Sequence, residues 1–397
     1  MGLVARSWQP VLGGRAGANA FARVRAIAGC LAAAPEAPAP ELALRALFLA
    51  ACDQAFPGRG HRRAAGLLLE RAVALAEEQP LQPRLHGGVL TVAWVVDQLA
   101  PGEQLTAEVD EALGEEIDRW SADHDLVFGL AGAGVYALAR RRGDLAARAL
   151  DKLEAAATTL EDGRLAWYTP PAWMLAEQRA VTPLGHYNAG VAHGAAGVAG
   201  FAARALAAGV HRACAAGLVG GAIDWLESIA LDGDACFPCW VPGGPGYRAV
   251  DPPGRAARSA WCYGDPGIAA QLWAAGSAAR RPDWQDRAIE LARGALARTP
   301  DQARIGRHGL CHGAAGFAHI LNRLAQASGD AALARGAVGW YARTMELPPD
   351  NPSFLTGACG IGLALLAAAC EAPPAWDALL LLDEVQAGLT SEVRPSE

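Results

Sequence analysis

The sequence predicts an all-α fold, an α/α toroid built as a double ring of about seven helical hairpins, with short β or loop insertions. Three observations lead there. A glycine turn recurs along the chain, an almost wholly apolar helix rich in small residues follows each turn, and a more charged amphipathic helix comes next. A helix that is apolar all round belongs inside, and one with a single charged face belongs outside. An open solenoid would satisfy the same repeat. Closure better explains why turns with reactive side chains recur all along the chain, because in a ring they face one another around one mouth.

Taken in order, residues 1–40 read as an N-terminal helical segment and linker, the linker being the Pro- and Ala-rich stretch 35–40. Helices are expected near 41–55 and 62–78. Counted on the last glycine of each turn, the repeat then runs through Gly88, Gly132, Gly197, Gly267, Gly316 and Gly360, at intervals of 44, 65, 70, 49 and 44 residues. That is near the period of a helix pair, with insertions in the middle. The helix pair before Gly88 brings the number of hairpins to about seven. The segments 106–120, 144–160, 284–299 and 330–346 carry Arg, Asp and Glu on one face and apolar residues on the other, as an outer layer does. Thr106, Asp144, Asp283 and Asp330 are suited to N-caps, and Gly143 and Gly329 to left-handed helix ends. Two stretches break the helical period, 161–184 with Trp167, Tyr168 and Trp173 among prolines, and 231–253 with many Gly and Pro. They are too long for plain connections and suggest β-hairpins or mouth-lining loops. The whole chain, 1–397, reads as one domain.

Composition narrows the class of function. With 52% hydrophobic and 19% charged residues the chain can bury a large core. A net charge of -7 without any basic run argues against a nucleic-acid partner. The first twenty residues lack an apolar signal core and no window reaches about 18 uncharged apolar residues, so neither secretion nor a membrane span is expected. A cytoplasmic protein with reduced thiols follows. Nine cysteines, an odd number, fit metal ligands better than a disulfide framework. The local Cys236-Phe237-Pro238-Cys239 sits among Gly and Pro and reads as loop structure.

The chemistry concentrates in Arg258-Ser259-Ala260-Trp261-Cys262-Tyr263-Gly264-Asp265-Pro266-Gly267 and Cys311-His312-Gly313. Two thiolates and an imidazole are a zinc ligand set, and three protein ligands leave one tetrahedral position open. Cys262 and Cys311 lie 49 positions apart, so the fold must bring them together. Two buried free cysteines are the alternative reading of the same residues.

These strings, with Val191-Ala192-His193-Gly194-Ala195-Ala196-Gly197, resemble the lanthionine synthetase cyclases of the LanC family over roughly the whole chain. The resemblance implies a zinc-dependent lanthipeptide cyclase with Cys262, Cys311 and His312 as the metal ligands. The open position on the metal would take a substrate cysteine thiol and hold it as thiolate, below its free pKa of about 8.5. The thiolate would add to the β-carbon of a dehydroalanine or dehydrobutyrine in the same peptide. Charge would develop on the amide oxygen as an enolate, and a proton delivered to the α-carbon would complete a lanthionine or methyllanthionine. His193 is the implied acid, Asp125 orients or charges it, and Arg258 and Tyr263 face the developing charge. His86, His186, His308 and His319 match no role and are expected to pack. The implied partner is a dehydrated precursor peptide with its leader. No kinase-like or dehydratase-like region is present, so dehydration falls to a separate protein. Two other readings are addition of an external thiol such as glutathione, and a catalytically silent peptide-binding scaffold.

Overall fold

A computed structural model describes residues 8–33, 36–102, 104–233, 235–249, 256–346 and 351–383. In chain order the helices are α1 (Gly14–Ala32), then α2 (Ala39–Ala55) with α3 (His61–Glu78), α4 (Val89–Leu99) with α5 (Gln104–Arg119), and α6 (Leu130–Ala139) with α7 (Gly143–Ala156). After the short α8 (Ala176–Val181) come α9 (Ala195–Ala207) with α10 (Arg212–Ser228), and α11 (Asp265–Ala279) with α12 (Pro282–Ala297). The single turn α13 (Pro300–Ala303), α14 (Ala314–Ser328) with α15 (Ala331–Thr344), and α16 (Ala358–Ala369) complete the series. The toroid expected from the sequence is present.

Helices α2, α4, α6, α9, α11, α14 and α16 form the inner ring, each packed on the next, and α16 returns to α2 to close it. Burial explains why these segments are apolar on every face. In α16, from Ala358 to Ala368, every residue is buried. Each large aliphatic side chain enclosed in this way contributes about 1.5–3 kcal/mol. The outer helices carry buried residues on one stripe only, such as Leu145, Ala146, Ala149, Leu150 and Leu153 of α7. Six of them pack on the inner helix just before them. The seventh outer position is filled by α1, which lies along α16. Trp8 Nε1 donates to the carbonyl of Ala367 at 2.8 Å and Leu12 N to that of Ala368 at 2.9 Å. The N-terminal helical segment therefore belongs to the ring.

The centre of the ring is filled from the C-terminal side. The turn Trp376–Leu380 and the residues to Asp383 place Asp377, Leu379, Leu380 and Leu381 among the inner helices with almost no exposure. Their main chain is held at three heights: Leu379 O by His86 Nε2 at 2.9 Å, Leu380 O by Trp261 Nε1 at 2.8 Å, and Leu381 O by Gln271 Nε2 at 3.0 Å. Asp377 is paired with His319 at 2.7 Å and Arg323 at 2.6 Å. His86 and His319 thus pack, as expected.

The insertions hold the strands. Strands β1 (Thr158–Thr159) and β2 (Leu165–Ala166) make a small hairpin. Strands β3 (Tyr168–Thr169), β4 (His186–Asn188), β5 (Trp240–Gly244) and β6 (Arg248–Ala249) pair in that order as an antiparallel sheet. Trp167 is a core residue, its Nε1 donating to Leu153 O at 2.9 Å, whereas Trp173 is 44% exposed. Residues 234 and 250–253 of the second insertion lie outside the described residues.

Several helix starts differ from the sequence expectation. Asp330 is an N-cap, accepting from Ala332 N and Leu333 N, and Gly329 is left-handed with φ 79°. Asp144 and Asp283 instead lie inside the first turns of α7 and α12, where they pair with Arg142 and Arg281. Helix α5 begins before Thr106, and the left-handed residue ahead of α7 is Arg141 at φ 57°, not Gly143. A carboxylate in the first turn is favoured by the helix dipole whether or not it caps, so composition alone cannot separate the two positions.

Candidate active site and metal centre

The six turns share one construction. Each inner helix from α4 onward starts after a glycine, Gly88, Gly129, Gly194, Gly264, Gly313 or Gly357, with no side-chain cap. The loop before the glycine folds back, so its carbonyls take the first helical N–H groups: Leu130 N to Asp123 O at 3.2 Å, Ala314 N to Arg307 O at 2.9 Å, Ala358 N to Asn351 O at 2.7 Å. The orphan donors of the helix start are satisfied by main chain. This close fold leaves no room for a Cβ three residues later. One added at Gly132, Gly197, Gly267, Gly316 or Gly360 would meet the carbonyl oxygen six residues earlier at 1.8–2.2 Å. In the first turn Thr91 holds that place, and its hydroxyl donates to the equivalent carbonyl, Leu85 O, at 2.6 Å. Gly88 is therefore the counterpart of Gly129, and counting it with Gly132 sets that repeat three residues out of step.

Consecutive turns are joined main chain to main chain. The residue two before each of these glycines donates to its counterpart in the next turn: His86 N to Val127 O, Val127 N to Ala192 O, Ala192 N to Cys262 O, Cys262 N to Cys311 O and Cys311 N to Leu355 O, at 2.8–3.4 Å. Cys262 and Cys311 thus occupy the same position in adjacent turns. The chain separation of 49 residues becomes a single hydrogen bond. The residues one before the glycine, among them Phe128, His193, Tyr263 and His312, follow the same arc.

One ligand atom each from Cys262, Cys311 and His312 lie within 4.8 Å of one another. The Cys262 thiol is pushed down to about 5, first by the hydrogen bond from Cys311, against burial, and then by His312 and the Arg258 charge. One sulfur is therefore a thiolate at neutral pH and its partner retains the proton, the Cys311 thiol being raised by the same contact. A charged sulfur, a second sulfur and an imidazole, with Cys262 buried, fit a borderline-soft ion such as zinc.

In the two turns before Cys262, His193 Nδ1 is 2.5 Å from Asp125 Oδ2, while Asp125 Oδ1 accepts from Phe128 N at 2.6 Å. Asp125 is buried, 1% exposed, and the His193 side chain is one-third exposed. Burial pulls the imidazole down, but the hydrogen bond and charge of Asp125, then the charges of Asp123 and Cys262, raise it above its ordinary value. The ring lies between Phe128, 5.4 Å away, and Tyr263, 6.3 Å away, centroid to centroid. Nδ1 is the ring nitrogen held by Asp125. Tyr263 OH accepts from Asn188 Nδ2 at 3.1 Å, and burial raises the phenol so that it stays protonated. Arg258 is exposed and acts through its charge on Cys262 and Cys311.

Three neighbours were not foreseen from sequence. Asn188 also accepts from Gly190 N at 2.9 Å and so ties β4 to Tyr263. Asp123 is pushed up to about 7 by burial and then by the Asp125 charge. Phe128 is 41% exposed and lies under the Arg84 guanidinium, 4.8 Å from its ring centre. Asn188 and Asp123 occupy one repeat position, six before the glycine, as does Arg258. The pattern becomes visible once the turns are aligned. Of the CxxC pair, Cys239 is raised to about 11 by burial and then by Cys262, whereas Cys236 is raised by burial and then by Asp265, with Arg287 opposing. The two cysteines have different surroundings.

No helix among the described residues is long and apolar enough to cross a membrane. Comparison with solved structures aligns a chain titled nisin cyclase with TM-score 0.79 and 21% identity, covering 92% of this chain and 98% of that one. That likeness is one of fold. An inactive variant of an alpha-1,6-mannanase of Salegentibacter sp. aligns with TM-score 0.47 and 10% identity, too weakly to bear on this site. No curated protein matches. The family described as lanthionine synthetase C-like protein matches residues 45–381, a span that contains all six turns and every residue of the two groups described above; the chain belongs to that family.

Proposed function

We propose that this protein is a zinc-dependent lanthipeptide cyclase, joining a peptide cysteine to a dehydroalanine or dehydrobutyrine of the same peptide as a lanthionine or methyllanthionine. The observation that carries the reading is the meeting, on one arc of backbone hydrogen bonds, of a two-sulfur, one-imidazole set with a carboxylate-paired imidazole. Cys262, Cys311 and His312 would hold the zinc, and zinc there supplies a position at which a substrate thiol is stabilised as thiolate.

The remaining work falls to side chains of this chain. Asp125 fixes His193 through Nδ1 and keeps it charged, so Nε2 holds a proton for the substrate α-carbon. Tyr263 accepts from Asn188, and its own proton is free to donate to the amide oxygen as negative charge gathers there. The Arg258 guanidinium adds positive charge at the rim. Phe128 and Trp240, which meets Tyr263 at 6.3 Å, give the mouth an aromatic wall for peptide. The dehydrated residues would come from a separate dehydratase acting on the same precursor.

The test uses a dehydrated, cysteine-containing precursor peptide. Ring closure is read by mass spectrometry as loss of alkylatable thiol, and zinc by elemental analysis of the same protein. About one zinc per chain is expected at this centre, lost in Cys262→Ala, Cys311→Ala and His312→Ala together with ring closure, and kept in Cys236→Ala and Cys239→Ala. Full zinc in all three ligand variants, or ring closure without zinc, overturns the reading.

A further inference from the structure

A second group of metal-ligating side chains lies on the outer ring, between α7 and α10 and apart from the turns. Asp151 stands on the last turns of α7, His211 is the N-cap of α10, and Cys214 is in the first turn of that helix. One ligand atom from each lies within 4.8 Å of the others. We propose that Asp151, His211 and Cys214 form a second metal site, taking a zinc-class divalent cation that staples α7 to α10.

Four features favour a ligand site over a surface ion pair. The Cys214 side chain is buried, 6% exposed, yet its thiol has no hydrogen-bond partner among the described residues. Burial, then the charges of Glu154 and Asp151, push that thiol up to about 11. Both carboxylates stand at the exposed edge of this group, beside the buried sulfur. Neither Asp151 nor Glu154 pairs with an arginine or lysine among the described residues, whereas nearby surface carboxylates do, as in Asp144 with Arg142 and Asp118 with Arg148. His211 takes a left-handed turn ahead of α10, φ 43° and ψ 48°. That turn brings Nε2 to 2.7 Å from Asp151 Oδ1.

The spacing is that of a helix-pair metal site. Asp151 and Glu154 are three apart on α7, and His211 and Cys214 are three apart on α10, so each pair faces the other helix. Donors bound at about 2.0–2.3 Å stand roughly 3–4 Å apart around a tetrahedral ion, which this group reaches by small side-chain rotations. A mixed oxygen, nitrogen and sulfur set suits zinc and cobalt rather than magnesium or calcium. The fourth position goes to water or to the Glu154 carboxylate, and the Cys214 thiol releases its proton to solvent on binding.

The test separates this site from the one at the mouth. In the full chain carrying Cys262→Ala and Cys311→Ala, cobalt titration under reducing conditions should show one equivalent bound, with thiolate-to-cobalt charge-transfer absorption that zinc abolishes. Adding Cys214→Ser should remove that absorption, and Asp151→Asn should weaken the affinity at least tenfold. Zinc should raise the melting temperature of the double variant but not after Cys214→Ser. Should Cys214→Ser fail to fold, His211→Ala, at a half-exposed position, provides the same comparison. No cobalt uptake by the double variant, or absorption unchanged by both Cys214→Ser and His211→Ala, overturns the proposal.

Discussion

Replacing Gly316 by alanine tests whether the close fold of the turns holds the metal ligands in place. A Cβ there would fall 1.8 Å from the Leu310 carbonyl oxygen and 2.6 Å from its carbon, and contacts under 3.0 Å essentially never occur. Both obstacles are backbone, so no side-chain rotation relieves them. The Leu310–Cys311 peptide must move, and it is held by the bond from Cys311 N to Leu355 O at 2.8 Å. Overpacking of this kind costs about 1–3 kcal/mol, and a main-chain obstacle belongs at the upper end. The control is Gly339 of α15, where an added Cβ meets nothing within 4 Å and alanine should gain about 0.5–1 kcal/mol from lower backbone entropy in the unfolded chain. The same substitution should thus act with opposite sign at two helical glycines, a separation of roughly 3–4 kcal/mol. Urea unfolding and zinc content measured on each variant check it. Gly316→Ala should unfold at lower urea and carry less zinc, while Gly339→Ala unfolds later and stays loaded. Wild-type stability and zinc in Gly316→Ala would refute the argument.

Other substitutions probe the charges around His193. His193→Asn should keep its zinc and slow ring closure about 10²-fold or more, the scale for losing a positioned acid; loss of zinc instead would place His193 among the metal ligands. Asp125 holds the imidazole above its ordinary pKa, so the protonated donor persists to higher pH. Asp125→Asn should move the alkaline limb of the rate profile to lower pH, and an unmoved limb would remove Asp125 from that role. Burial, then the Asp125 charge, push Asp123 up to about 7, from an ordinary aspartate value of about 3.9. Its stability contribution therefore declines as pH rises from about 4 and is fully lost above about 7. Asp123→Asn should raise the melting temperature at pH 8 and change it little at pH 4, which thermal unfolding at the two values decides. Asp265, at the start of α11, accepts from Cys236 N and Phe237 N and pairs with the buried Arg298. Asp265→Ala should cost about 3–5 kcal/mol, visible as a lower urea midpoint, and a smaller shift would mean that the arginine finds another acceptor.

The parts of this fold that the sequence discloses are those with a local physical cause. Apolar runs after glycine mark inner helices because burial on all sides requires both, and Cys262, Cys311, His312 and His193 are visible because each stands just before such a glycine. Four features escape that reading. Helix α1 as outer partner of α16 depends on a contact between chain ends, and no periodicity announces it. The segment 376–383 reads as a short leucine run because its partners, His86, Trp261, Gln271 and Arg323, are scattered along the chain. Thr91 replaces the turn glycine by turning a steric conflict into a hydrogen bond, so matching on glycine misplaces that repeat. Asn188 and Asp123 lie six residues ahead of their glycines, and their shared position emerges only when the turns are superposed.

The filled centre of the ring bears on how the chain acquires its structure. Leu379, Leu380 and Leu381 hold main-chain bonds to His86, Trp261 and Gln271, while Trp8 is bonded across 359 positions to Ala367. During synthesis, hairpins such as α2 with α3 can form as they emerge, since their contacts are local. They cannot close into a ring. Until the stretch through residue 383 has left the ribosome, every inner helix faces an axis without its apolar filling, and α16 has not arrived to receive α1. Closing the ring therefore brings together residues from 110 to 359 positions apart, and non-local contacts of this kind slow folding.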